Sequence, residues 1–207
     1  MASKWREEVP ARSSSKKFQQ ENHRDGEVLM TGLIEKAYFA TGCFWGAERR
    51  FWNLPGVLST SVGYMGGHTS QPTYKEVCTG KTGHAEMVEV VFDPSQISYH
   101  RLLQEFWTMH DPTSLNRQGG DIGTQYRSAI YASTERQLEE ALATREIYND
   151  VLLQNGLDEI CTEIKSANGM VYWPAEEYHQ RYLEKNPNGY DCHSSTGIPY
   201  PDQLTIG

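Results

Sequence analysis

Cys43 occupies a position in the sequence that suits nucleophilic chemistry. It directly follows a predicted strand and stands at the start of a predicted helix. Unpaired N–H groups at the start of a helix stabilise a thiolate and lower the pKa of a thiol there. Gly42 allows the tight turn, and Phe44 and Trp45 could line an apolar slot for a small substrate group. A buried structural cysteine is the alternative interpretation.

Glu86 is a candidate general acid. It lies in the segment AEMVEVVF at residues 85–92, whose β-branched residues and following Asp-Pro pair predict a strand. Because side chains alternate between the faces of a strand, Glu86 shares its face with Val88, Val90 and Phe92. Burial among apolar neighbours raises the pKa of a carboxyl, and a protonated carboxyl can serve as an acid. An ordinary surface charge at a hydrated strand end is the alternative.

Three further polar residues lie in segments without a regular hydrophobic pattern. The long, Gly-rich stretch of residues 111–126 contains Asp121, whose carboxylate can face a ligand backbone, and Tyr126, whose hydroxyl can donate a hydrogen bond. Tyr74 lies in a similar stretch. Taken singly, each of the three is more often a turn carboxylate or a packing residue.

The remaining cysteines differ in what their positions allow. The spacings between residues 43, 78, 161 and 192 include no CxxC pair, which argues against a structural zinc site. Cys192 lies in a Gly-, Pro- and Ser-rich tail, from which its thiol could reach a second cysteine. A sulfenic acid at Cys43 would condense with such a thiol to a disulfide. Taken alone, Cys192 is simply an exposed thiol.

The hydrophobic pattern predicts the elements that must position these residues. The order strand, helix, strand, strand, helix, strand is typical of the split βαβ plan. We therefore predict an α+β fold in two layers, with a ferredoxin-like core, extra helices and an irregular C-terminal tail. The predicted elements are strands at residues 36–40, 57–64, 85–92, 127–132 and 160–165, and helices at residues 44–52, after Ser98, at 134–153 and at 174–185.

Composition divides the chain into one domain with two tails. Residues 1–33 are polar and aperiodic, so they cannot bury enough apolar surface to offset the entropy of ordering, and we expect a mobile arm. Residues 34–186 carry all the predicted elements and form the folded domain. Residues 187–207 form the irregular tail.

Charge and hydropathy exclude several classes of function. Of the 207 residues, positions 37–207 hold 12 Lys and Arg against 21 Asp and Glu, a net charge of −9, which argues against nucleic-acid binding. No apolar run approaches the roughly 18 residues that a membrane-spanning helix needs. The first residues also lack the apolar core of a signal peptide. We therefore expect a cytoplasmic protein with no membrane partner.

Taken together, the motifs resemble those of the A-type peptide methionine sulfoxide reductases. The resemblance covers about residues 35–191 and is specific, because four separate motifs occur in the family's order. They are GCFWG at residues 42–46, YKEVCTGKTGHAE at 74–86, HDPT at 110–113 with GGDIGTQYRS at 119–128, and YHQ at 178–180 with NP at 186–187 and GY at 189–190.

The resemblance implies a reaction and a role for each candidate. The family reduces the S epimer of methionine sulfoxide, either free or within oxidised proteins, so residues 34–186 would be a catalytic reductase domain. A protonated oxygen leaves the substrate sulfur more readily, which is why an acid is needed opposite the thiolate. The implied roles are Cys43 as nucleophile, Glu86 as acid, Tyr74 and Tyr126 as donors to the oxygen, Phe44 and Trp45 as the methyl pocket, and Asp121 as a contact for the substrate backbone.

The resemblance also implies how the enzyme is recycled. A tail cysteine would form a disulfide with Cys43, and thioredoxin would reduce that disulfide, with no metal or organic cofactor. The chain departs from the family at this point, because its tail holds only Cys192 and Asp191 separates that cysteine from Tyr190. We therefore expect one recycling disulfide, Cys43–Cys192, in a monomeric enzyme.

Two other classes of function remain open from the sequence. A cysteine hydrolase would pair Cys43 with His84 or His110 and would need no reductant. A peptide-binding module would rely on the aromatic content of 11% and would tolerate Cys43→Ser. Both alternatives predict that Cys43 does not change its oxidation state.

Overall fold

The computed structural model of the chain describes residues 34–191 and 194–201. The predicted N-terminal arm, Cys192 and the last six residues lie outside the described part. In the described part, no helix is both long and apolar enough to cross a membrane.

Strands and helices alternate along the described chain. The strands are Glu35–Thr41 (β1), Val57–Met65 (β2), Ala85–Phe92 (β3), Arg117–Gln118 (β4), Asp121–Ile122 (β5), Ser128–Ala132 (β6), Glu163–Ser166 (β7) and Trp173–Pro174 (β8). The helices are Phe44–Trp52 (α1), Tyr74–Val77 (α2), Tyr99–Met109 (α3), Glu135–Gln154 (α4) and Tyr182–Lys185 (α5), and Thr124–Tyr126 forms a 3₁₀ turn.

The central sheet confirms the predicted fold class. Its strand order is β7-β6-β1-β3-β2-β8, and β4 and β5 pair separately. Within the group β6-β1-β3-β2 every pair of adjacent strands is antiparallel, and α1 and α3 form the two crossovers, which is the ferredoxin-like arrangement. β7 extends this core in parallel with β6, and β8 extends the other edge.

The two faces of the sheet bury different clusters. The helix-covered face packs Phe39, Val88 and Val90 against α1, α3 and α4, including Phe51 and Phe106. On the opposite face, residues of β1, β2, β3 and β6 pack beneath the segment that contains Met170 and Tyr172. Because successive side chains of β1 and β3 point to opposite faces of the sheet, these strands contribute buried residues to two clusters, one on each face.

The predicted helix over residues 174–185 is wrong. Pro174 instead lies in the short edge strand β8, where it pairs with Gly63 of β2. Arg181 adopts a left-handed conformation with φ +53°, which no continuous helix can contain, so only Tyr182–Lys185 is helical. The Gln180 side chain binds the backbone of Val62, and this tertiary contact holds the irregular segment on the sheet edge.

Other predicted bounds needed smaller corrections. The strand predicted over residues 160–165 begins only at Glu163, because the Ile160 N–H donates to the Asn149 side chain and the Cys161 N–H to Pro112. The stretch 111–126, predicted to be irregular, contains the β4–β5 hairpin and the 3₁₀ turn. The tail at residues 187–191 and 194–201 contains no helix or strand, as predicted.

Candidate active site

A tight turn between β1 and α1 presents Cys43. Gly42 has a φ of +94°, and a Cβ there would lie 2.7 Å from the Gln118 side chain, so glycine is required on both grounds. Cys43 is the N-cap residue of α1, and only 6% of its surface is exposed to solvent. The predicted position of the thiol at a helix N-terminus is therefore confirmed.

Strand pairing brings Glu86 to the same point. β1 runs antiparallel to β3, with Phe39 opposite Val88, so the end of β1 lies beside the start of β3. The Phe44 N–H, the first of α1, donates a 3.1 Å hydrogen bond to Oε2 of Glu86. The candidate acid Glu86 is therefore hydrogen-bonded to the peptide group that links the candidate nucleophile Cys43 to Phe44.

The surroundings of Glu86 favour its protonated form. The residue is 2% exposed and shares its face with the buried Val88 and Val90, as predicted. Burial, with a smaller contribution from Asp121, raises the pKa of the Glu86 carboxyl to about 8 despite the hydrogen bond from Phe44. At neutral pH most molecules therefore hold a proton at this position.

A small cavity collects the predicted site residues. Its volume is about 110 Å³, enough for a small sulfur-containing group rather than a large ligand. Every predicted site residue lines it except Cys192, which lies outside the described part of the chain. The lining consists of Cys43, Phe44, Trp45, Tyr74, Glu86, Asp121, Tyr126 and Tyr190.

Two tyrosines give this cavity hydrogen-bond donors. Burial, together with the nearby Glu86, raises the pKa of both Tyr74 and Tyr126 above the ordinary value, so both hydroxyls keep their protons. For Tyr74, the nearby Cys78 thiol contributes to the raised pKa as well. The pocket can therefore offer O–H donors to a polar oxygen beside the acid.

Residues 176–182, for which no function was predicted, contact two residues of the cavity lining, Trp45 and Tyr74. The indole N–H of Trp45 donates to Nδ1 of the buried His179 at 3.0 Å, and the indole ring stacks on Tyr182 with ring centres 3.8 Å apart. Glu176 accepts the Tyr74 N–H at 2.8 Å. Only the YHQ motif hinted at these residues, because their partners are distant in sequence.

Asp121 and Tyr190 lie together at the pocket. The Tyr190 hydroxyl donates to Oδ1 of Asp121 at 3.3 Å, which brings the start of the tail to the cavity. Oδ2 of Asp121 is buried and has no hydrogen-bond partner within the described part. Because a buried carboxylate oxygen needs a donor, this atom can receive an N–H from a bound ligand. Tyr190 belongs to the GY motif at residues 189–190, but its sequence position alone did not predict a place at the cavity.

The histidines considered for a hydrolase have structural partners. Nδ1 of His84 accepts the Gly67 N–H, and Nε2 binds the Thr69 carbonyl. The ring nitrogens of His110 contact the Phe106 carbonyl and the Ser128 hydroxyl. With both nitrogens of each ring occupied in this way, neither histidine is arranged as a base for a nucleophile.

The two cysteines without a predicted role occupy different surroundings. Cys78 is exposed, and burial of part of its thiol raises the pKa above the ordinary value. Cys161 is half-buried and donates to the Pro112 carbonyl. The described residues include no group of three or more His, Cys, Asp or Glu arranged to hold a metal ion.

Comparisons with known proteins agree with this site. A family model described as peptide methionine sulfoxide reductase matches residues 35–200. The chain is 49% identical over 198 residues to the mitochondrial peptide methionine sulfoxide reductase of Homo sapiens, covering 94% of this chain and 83% of that protein. It is 55% identical over 168 residues to a peptide methionine sulfoxide reductase of Streptomyces griseus, covering 81% of this chain and 76% of that protein.

Solved structures give the same result. Methionine sulfoxide reductase A of Corynebacterium diphtheriae superposes with a TM-score of 0.75 at 46% identity, covering 84% of this chain and 85% of that chain. The reduced form of Mxr1 from Saccharomyces cerevisiae superposes with a TM-score of 0.69 at 36% identity, covering 78% of this chain and 92% of that chain.

Proposed function

Because the chain belongs to the peptide methionine sulfoxide reductase family, we propose that its cavity reduces methionine sulfoxide with Cys43 as nucleophile and Glu86 as acid. The observation that supports this assignment most strongly is that Cys43 and the Glu86 carboxyl lie together at one cavity. Cys43 occupies the N-cap position of α1, and the first N–H of that helix donates to the Glu86 carboxyl at 3.1 Å beside a cavity of about 110 Å³. Methionine sulfoxide reduction itself is the activity of the family.

The proposed chemistry begins with attack of the Cys43 sulfur on the substrate sulfur. Glu86 gives its proton to the sulfoxide oxygen, so that the sulfur–oxygen bond can break without releasing an unprotonated oxide. As the sulfur–oxygen bond breaks, hydroxide from that oxygen or from solvent adds to the Cys43 sulfur and displaces the substrate sulfur, so the transient bond between the two sulfurs breaks. The substrate sulfur keeps the electron pair of that bond and becomes the thioether of methionine. Cys43 loses two electrons and becomes a sulfenic acid, and a proton from solvent restores Glu86.

Tyr74 and Tyr126 are proposed to bind the sulfoxide oxygen. Both line the cavity with Glu86, and their raised pKa values keep the hydroxyls as donors. Negative charge increases on this oxygen as the new sulfur–sulfur bond forms. Donors already aimed at that charge stabilise the transition state more than the ground state.

Phe44 and Trp45 are proposed to receive the methyl group on the substrate sulfur. Trp45 is fixed by His179 and by stacking on Tyr182, so the apolar wall is rigid. Because the sulfoxide sulfur is chiral, a slot that accepts its methyl on one side selects one epimer, and we propose the S epimer because the A-type family that the motifs resemble reduces it. The free oxygen of Asp121 would bind an N–H of the substrate backbone, in free methionine sulfoxide or in an oxidised protein.

Recycling is proposed to use Cys192 and thioredoxin. The Cys192 thiol would attack the Cys43 sulfenic acid, which forms a disulfide and releases water. The dithiol of thioredoxin, or a small dithiol, would then reduce that disulfide. This cycle needs neither a metal nor an organic cofactor, and we propose that it operates in a cytoplasmic monomer.

The test uses purified protein, dithiothreitol and the separate S and R epimers of a methionine sulfoxide peptide, with the product followed by mass. We expect reduction of the S epimer only, complete loss in Cys43→Ser and full activity in the matched control Cys161→Ser. Reduction of both epimers would contradict the methyl slot. No reduction of either epimer by folded, reduced protein would contradict the proposed reaction.

A further inference from the structure

Arg127 connects four segments through its guanidinium group. Nη1 donates to the Thr124 carbonyl at 2.9 Å, and Nη2 donates to the Gly83 carbonyl at 3.1 Å and to the Tyr131 hydroxyl at 2.8 Å. Nε donates to Oε2 of Glu163 at 3.0 Å. The side chain is only 13% exposed, and the bonds to Gly83, Tyr131 and Glu163 are partly buried. Four of the five N–H donors of an arginine are therefore in use.

Two of these partners belong to segments that carry proposed catalytic groups. Thr124 begins the 3₁₀ turn that ends at Tyr126. Gly83 lies three residues before Glu86, just ahead of β3. No strand pairing joins these two segments. The planar guanidinium is thus a direct link between the turn that holds the Tyr126 hydroxyl and the strand that holds the acid.

The other two partners set the direction of the guanidinium. Glu163 and Tyr131 lie on the neighbouring strands β7 and β6, and Tyr131 also approaches Oε1 of Glu163 at 3.4 Å. Lys165 forms a second ion pair with Glu163. Glu163 and Tyr131 thus bind the guanidinium of Arg127, and neither residue lines the cavity.

We infer that Arg127 is a positioning residue for the reductase step, which sets the Tyr126 hydroxyl at the correct distance from the Glu86 carboxyl. This role rests on the proposed function. An oxygen must reach both the acid and the hydroxyl within hydrogen-bond distance, and a misplacement of about 1 Å can cost about a hundredfold in rate. Lysine carries the same charge but presents a single point of attachment, so it cannot replace the planar fork.

The test is a double-mutant cycle between Arg127→Lys and Tyr126→Phe, with kcat and KM measured on an S-sulfoxide peptide with dithiothreitol. We expect Arg127→Lys to lower kcat about tenfold with KM within about twofold of the wild type. In the Tyr126→Phe background, where no hydroxyl remains to be positioned, the same change should lower kcat less than about twofold.

The matched control is Glu163→Gln, which keeps an acceptor for Nε and both carbonyl contacts of Arg127. We expect its kcat to stay within about threefold of the wild type. Thermal unfolding verifies that each variant is folded, and Arg127→Gln enters the same cycle if Arg127→Lys does not fold. An equal loss of kcat in both Tyr126 backgrounds would overturn the positioning role. Wild-type activity, measured first, tests the proposed function separately.

Discussion

The two halves of the cavity are built in different ways. Glu86 lies on β3, and Cys43 follows the adjacent strand β1 at the N-cap of α1, so the pairing of β1 with β3 and the hydrogen bond from the Phe44 N–H to Glu86 bring the two residues together. Tyr74, Asp121 and Tyr126 are carried instead by a four-residue helix, a two-residue strand and a 3₁₀ turn. We call these the strand half and the loop half of the pocket.

The difference between the halves indicates a division of labour. Bond formation and proton transfer tolerate little displacement, and the strand half is attached to β3, which is hydrogen-bonded to β1 on one side and to β2 on the other. The loop half depends on side-chain supports such as Glu176 and Arg127, so single substitutions outside the cavity lining can alter it. We therefore expect the largest losses of activity from the strand half and graded losses from the loop half.

The largest effect among the following changes is expected for Glu86→Gln. The amide keeps the shape of the side chain but has no acidic proton to give to the sulfoxide oxygen. We expect the single-turnover rate with saturating substrate to fall by about a hundredfold or more. A stopped-flow measurement of methionine release checks this value, and an unchanged rate would return Glu86 to a structural role.

The strand half also predicts a pH dependence. Because the pKa of Glu86 is raised to about 8, the protonated and active form is lost as the pH rises through that value. The single-turnover rate at pH 9 should be about one tenth of the rate at pH 7. Glu86→Gln provides the control, since contributions of the thiols are common to both proteins. A decline of equal size in the variant would assign it to another group.

The loop half predicts smaller losses. Tyr74→Phe and Tyr126→Phe each remove one of the two proposed donors to the sulfoxide oxygen, and in our proposal the remaining hydroxyl still binds it. We expect each kcat to fall about tenfold and the double variant to lose more than either single one. Steady-state kinetics with the S epimer checks the series. A double variant as active as the wild type would mean that the oxygen is bound elsewhere.

The smallest effect on activity is expected for Glu176→Gln. The Glu176 carboxylate accepts the Tyr64 hydroxyl at 2.9 Å and the Tyr74 N–H at 2.8 Å, and the amide has only one oxygen for these two donors. We expect the free energy of unfolding to fall by about 1–2 kcal/mol and kcat to fall only a few-fold. Denaturant titration and steady-state kinetics check both. Loss of activity as large as in Glu86→Gln would remove the distinction between the halves.

Sequence reasoning succeeded where the structure depends on local pattern. The bounds of Phe44–Trp52 and Ala85–Phe92 agree with the predicted helix and strand, and the burial of Glu86 follows from strand alternation. The same reasoning from the residues alone left Tyr74, Asp121 and Tyr126 ambiguous. Their proposed roles came from the resemblance, because loop residues have no periodicity that reveals what they face.

The supports of the loop half could not be predicted in this way. His179 meets Trp45 across 134 positions of sequence, and Glu176 meets Tyr74 across 102. The helix predicted over residues 174–185 failed for the same reason. Pairing of Pro174 with Gly63 and the binding of Gln180 to Val62 are tertiary contacts that override local propensity.

The most direct test of the central claim is a single-turnover experiment on the Cys192→Ser variant without added reductant. After mixing with excess S-sulfoxide peptide, we expect about one methionine per protein chain and a sulfenic acid, trapped by dimedone, on the tryptic peptide that contains Cys43. Methionine formation with the trapped group at Cys78 or Cys161, or with no oxidised cysteine, would contradict the assignment of Cys43 as the nucleophile.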